Sequence, residues 1–123
     1  MLQKRNNLHQ GQAQTQILDI TNIAYQNFIN SLKSSSTRAT YTRILKNYLI
    51  DNNLTIETLL NLPVKDSEQV LINHIEKLKT ANKSHSYRNQ TFCVVKHFYV
   101  MNDIRINKEK ISKFLGESGR EHR

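Results

Sequence analysis

The stretch SHSYRNQTFCVVKHFYVMNDIRIN, residues 84–107, decides how this chain folds. Tyr87, Val94, Val95, Phe98 and Met101, flanked by Phe92 and Tyr99, recur at the steps of an α-helix and make a broad apolar arc. Ser84 has the side chain to cap that helix, and Asn102-Asp103 reads as the turn that closes it. The narrow arc left over carries His85, Ser86, Asn89, Gln90, Lys96 and His97, with Cys93 among them.

The same period extends outward in both directions. TRATYTRILKNYLIDN, residues 37–52, places Tyr41, Ile44, Leu45, Tyr48 and Leu49 on one stripe, and Ala39, Thr42, Arg43, Lys46 and Asn47 opposite it. Ser34-Ser35-Ser36 breaks the chain before it and supplies an N-cap. A first helix is expected from Asp19 or Thr21 to Lys33, with Ile20, Ala24, Phe28 and Leu32 on one face. A short helical turn from Ile56 to Leu62 follows a Thr55 cap and stops before Pro63. Asp66 and Gln69 have capping-box spacing, which predicts a third long helix to about Thr80 with Val70, Leu71, Ile75 and Leu78 inward. Asn107 caps a last helix, Lys108 to Leu115, which Gly116 terminates. No strand pattern and no internal repeat competes with this reading. The fold class is all-α, a compact bundle of four main helices plus short ones.

Composition agrees. A chain of 123 residues with 37% apolar and 23% charged residues, 3 Gly and 1 Pro has room for one core and too little punctuation for a turn-dense β fold. Residues 1–16 lack apolar periodicity and read as a flexible N-terminal arm, 17–116 as the domain, and 117–123 as a tail or the start of a linker. A single cysteine, Cys93, excludes an internal disulfide framework. No signal segment opens the chain, and no apolar run approaches the roughly 20 residues of a membrane span. A soluble, cytoplasmic, monomeric protein is expected.

Charge separates the function classes. The net charge is +8, and its excess lies in two acid-free windows. Between Asp19 and Asp51 stand Lys33, Arg38, Arg43 and Lys46; between Glu76 and Asp103 stand Lys77, Lys79, Lys83, Arg88 and Lys96. The rest of the chain balances nine cations against ten carboxylates. Those windows coincide with two long helices whose polar faces mix cations with hydroxyls and amides, groups that neutralise phosphates and bond base edges. Double-stranded DNA is the partner this pattern favours. The candidate contacts are Thr37, Arg38, Thr42, Arg43 and Lys46 on one helix, and Lys83, Ser84, Ser86, Asn89, Gln90 and Lys96 on the other. Asn89, Gln90 and Arg43 are the candidates for meeting bases. The five histidines have no metal-ligand spacing, and no Gly-rich phosphate loop is present, so no cofactor, metal or catalytic residue is expected.

TRATYTRILKNYL, residues 37–49, resembles the second helix of the SAM-like core-binding domain of tyrosine recombinases and phage integrases, and residues 84–107 resemble its fourth. YQNFINSLKSSS, residues 25–36, is similar to the first helix and linker of that domain, and the likeness covers about residues 18–115. The resemblance implies half of a clamp around a recombination site, with the second and fourth helices approaching the major groove. It also implies that the catalytic Arg, Lys, His-x-x-Arg and Tyr of that family belong to a following domain that this chain lacks. His85-Ser86-Tyr87-Arg88 matches the His-x-x-Arg string by letter alone, because Tyr87 is expected in the core and Tyr99 on the buried arc. A helix-turn-helix regulator binding DNA as a dimer, or a helical protein-interaction module, would account for the same composition.

Overall fold

The structure, a computed structural model, describes residues 21–116. Within them lie α1 (Ile23–Asn30), α2 (Ser35–Asp51), α3 (Ile56–Asn61), α4 (Val64–Thr80), α5 (His85–Met101) and α6 (Lys108–Ser112). No strand occurs among the described residues. The expected arm over 1–16, Ile20 and the tail over 117–123 lie outside them.

Helix α5 is the hub. It packs against α1, α2 and α4, and α4 in turn holds α6. Contact on three sides explains its broad apolar arc, and Val94, Val95, Phe98 and Tyr99 are fully buried. The arc is rotated from the sequence expectation. Thr91 and Phe92 are buried, whereas Tyr87 and Met101, both expected inward, are half-exposed. On α2 the stripe is as expected: Ile44, Leu45, Tyr48 and Leu49 are essentially inaccessible, and Tyr41 is half-buried at its edge.

The helix ends follow local chemistry. Ser34 Oγ accepts from Thr37 N at 3.1 Å, Ser84 Oγ from Tyr87 N at 3.1 Å and Asn107 Oδ1 from Lys110 N at 3.0 Å, which are the expected caps. Thr55 and Thr58 form a reciprocal capping box on α3. Two starts differ from expectation. Helix α1 begins only at Ile23, because Asn22 Oδ1 accepts from Ala24 N at 2.8 Å, and it stops at Asn30, short of Lys33. Helix α4 begins at Val64 with Pro63 as its N-cap, so Asp66 lies inside the first turn and caps nothing; Gln69 bonds Asn73 at 2.9 Å instead. Proline's fixed φ suits the residue just before a helix, so the chain turns helical directly after Pro63, with no side-chain cap on the first turn.

The three long helices end alike. Asn53, Asn82 and Asp103 adopt φ of 56°, 62° and 62°. The next N–H reaches back across the turn each time: Leu54 to Leu49 O, Lys83 to Leu78 O and Ile104 to Tyr99 O, all 2.9 Å. These are Schellman closures in which Asn or Asp takes the left-handed position that glycine usually fills. Helix α6 stops at Ser112, short of the expected Leu115, so Gly116 does not terminate it; there φ is +79°, and a Cβ would stand 3.3 Å from Arg88 Nη2.

Tertiary hydrogen bonds lock the arrangement. Asn102 Nδ2 donates to Ala24 O at 3.1 Å, tying the end of α5 to the start of α1. Glu68, buried on α4, accepts from Asn107 N at 2.7 Å and so docks α6. Glu68→Ala should lower unfolding free energy by about 1–3 kcal/mol, since the Asn107 N–H that starts α6 loses a charged acceptor held in the interior. Glu68→Gln should recover part of the loss. Urea unfolding of the three proteins checks this; an unchanged Glu68→Ala midpoint would contradict it.

Candidate nucleic-acid interface

The eleven candidate contacts fall into two open depressions and a remainder. Arg38, Thr42, Arg43 and Lys46 of α2 line one depression together with Ala39 and with Tyr25 and Ile29 of α1. Thr42 Oγ1 is fixed by Tyr25 Oη at 3.1 Å, and Arg38 Nε donates to Leu32 O at 2.8 Å, which orients the guanidinium at the helix entrance. Arg43 and Lys46 are exposed. Ser84, Ser86, Asn89 and Gln90 line the second depression, with Tyr87 and Cys93 of α5 and Tyr41 of α2.

Three candidates lie apart from both. Lys83 sits over the Tyr87 ring at 5.9 Å from its centroid, but lines a different hollow with Asp51, His74 and Lys77. Lys96 is half-buried, its ammonium 5.3 Å from the Phe92 ring centroid. Thr37 is half-buried at the start of α2, its N–H held by Ser34. Arg88, a cation of the second acid-free window, is committed to structure. Its Nε donates to Leu115 O at 2.9 Å and its Nη1 to Lys83 O at 2.8 Å.

Sequence reasoning misses the roles of Tyr41 and His97. Tyr41 belongs to the apolar stripe by spacing, yet it borders the α5 depression and meets His97 edge-on at 5.9 Å. Ser31 Oγ donates to Phe28 O at 2.8 Å and lies 2.6 Å from His97 Nε2. No periodicity signals such a pair, since its members are on different helices.

The arginine of the His-x-x-Arg string is thus bound to two carbonyls. Tyr99 is fully buried. Burial pushes its hydroxyl up to about 12, with Ser67 opposing the shift, and Tyr99 Oη makes no hydrogen bond of good geometry. A phenol so placed is a poor nucleophile near neutral pH. Among the described residues no helix is long and apolar enough to cross a membrane. No protein-family model, curated protein or solved structure matches this chain.

Two histidines carry a pH consequence. Burial holds His74 below the usual imidazole value, with Lys77 adding to the effect and Asp51 opposing it. Burial likewise lowers His97, helped by Lys96 and opposed by the Phe28 carbonyl. The unfolded imidazoles protonate first, near pH 6.5, so their contribution to stability is complete above that value and is lost as pH falls toward the lower folded values. The melting temperature should be flat from about pH 8 to 7 and decline from about pH 6.5 downward, less steeply in His74→Gln. A melting temperature that rises on acidification would contradict this.

Proposed function

We propose that this chain is a non-catalytic duplex DNA-binding module, the core-binding half of a tyrosine-recombinase or integrase clamp. The observation that carries the reading is the state of two helices in direct contact. Neither α2 nor α5 bears a carboxylate until Asp51, the last residue of α2. Their solvent-facing sides hold Arg38, Arg43, Lys46 and Lys96 among hydroxyls and amides, whereas Lys65, Arg105, Lys108 and Lys110 stand within two residues of Asp66, Asp103 or Glu109. Cations contribute most of the affinity for duplex DNA by releasing counterions from phosphates. Arg38, Arg43, Lys46 and Lys96 stand on two adjoining helices with no carboxylate between them, which makes this helix pair the favoured contact for the duplex. The likeness of residues 25–49 and 84–107 to the core-binding domain supports the same orientation. Strand cleavage in such a clamp would fall to a partner domain.

Arg43→Glu with Lys96→Glu should weaken binding to a duplex of about 20 base pairs far more than Lys108→Glu with Lys110→Glu, although both pairs change net charge equally. Wild-type affinity should fall near the micromolar range, and each phosphate no longer neutralised should lower the slope of log affinity against log salt by about 0.9. Fluorescence anisotropy across a salt series reads both quantities. Equal losses in the two double variants would mean that total charge governs binding, contrary to the proposal.

A further inference from the structure

We infer, resting on the proposed DNA-binding function, that the two helices divide the work: α2 clamps phosphates, while α5 reads base edges through Asn89 and Gln90. Charge is segregated between them more sharply than the sequence suggests. Of the two cations on α5, Arg88 is held by Leu115 O and Lys83 O, which leaves Lys96 alone, half-buried against Phe92. The outward arc of α5 is otherwise uncharged: Ser86, Asn89 and Gln90 are exposed, Cys93 is half-exposed, and Val100 is 50% exposed. On α2 the outward flank holds three cations, Arg38, Arg43 and Lys46, within nine residues.

Two unbonded amides of α5 lie together in one depression, whereas the exposed, unbonded Asn47 of α2 lies outside the α2 depression. The side chains of Asn89 and Gln90 make no hydrogen bond among the described residues, whereas Asn27 and Asn102 bond each other, as do Gln69 and Asn73. An exposed Asn or Gln with both its donor and acceptor open can bond the N6 and N7 edge of adenine bidentately. Arginine and lysine at phosphates position a domain without reading sequence. Arg43, the one α2 side chain singled out from the sequence for bases, stands in a depression with Arg38 and Lys46 and is assigned to phosphate.

A pool of duplexes with a randomised core, selected by binding at moderate salt and sequenced, separates the two roles. Wild type should enrich an adenine-containing core. Asn89→Ala with Gln90→Ala should abolish the enrichment and weaken binding to the selected duplex by about tenfold or more, with the salt slope retained. Arg43→Gln with Lys46→Gln should keep the enriched core, weaken binding to selected and unselected duplexes alike, and lower the salt slope by about 0.9 for each phosphate released. Binding of wild type without any enrichment would overturn the division while leaving DNA binding intact, as would a changed core in the α2 variant with an unchanged one in the α5 variant. Absence of binding to the whole pool would overturn the proposed function itself.

Discussion

Helix α5 must satisfy two demands along its seventeen residues, and the rest of the molecule is arranged around that constraint. It is covered by α1, α2 and α4, so about half its circumference is apolar and inaccessible. The remaining arc is the part left for solvent or a partner. Burying a helix on three sides removes the freedom to choose that arc independently, because rotating α5 would expose Phe98 and Tyr99 and bury Asn89 and Gln90 without partners. Packing therefore fixes which α5 residues face outward. It fixes α2 in the same way, since Tyr41 and His97 meet edge-on where the two helices touch.

Local signals in the sequence are enough for most of the fold. Ser34, Thr55, Ser84 and Asn107 cap the helices they are expected to cap, because a hydroxyl or amide beside an amphipathic run acts within three residues of itself. The earlier start of α4 has an equally local cause: Pro63 competes with Asp66 for the role of helix start, and the proline wins without any side-chain bond. The left-handed Asn53, Asn82 and Asp103 are harder to read, since asparagine and aspartate there are indistinguishable from ordinary loop residues until the backbone closes over them.

The candidate surface is legible in the sequence as a set of residues and only partly as an arrangement. Arg38, Thr42, Arg43 and Lys46 come together because they share one helix flank, which spacing foretells. The fate of Arg88 and the place of Tyr41 depend on contacts across 27 residues to Leu115 and between α2 and α5, which no single-helix pattern contains. The half-exposed Tyr87 reflects the rotation that three-sided packing imposes on α5.

DNA binding as proposed would bring the outward arcs of α2 and α5 against the duplex. The most direct measurement is a titration of the isotopically labelled protein with a short duplex, followed through its backbone amide NMR signals. The account predicts that shifts cluster at residues 37–46 and 84–96, with those of Lys108–Lys113 on the α6 side little changed. Shifts concentrated on α6, or spread evenly over all lysines and arginines, would contradict it.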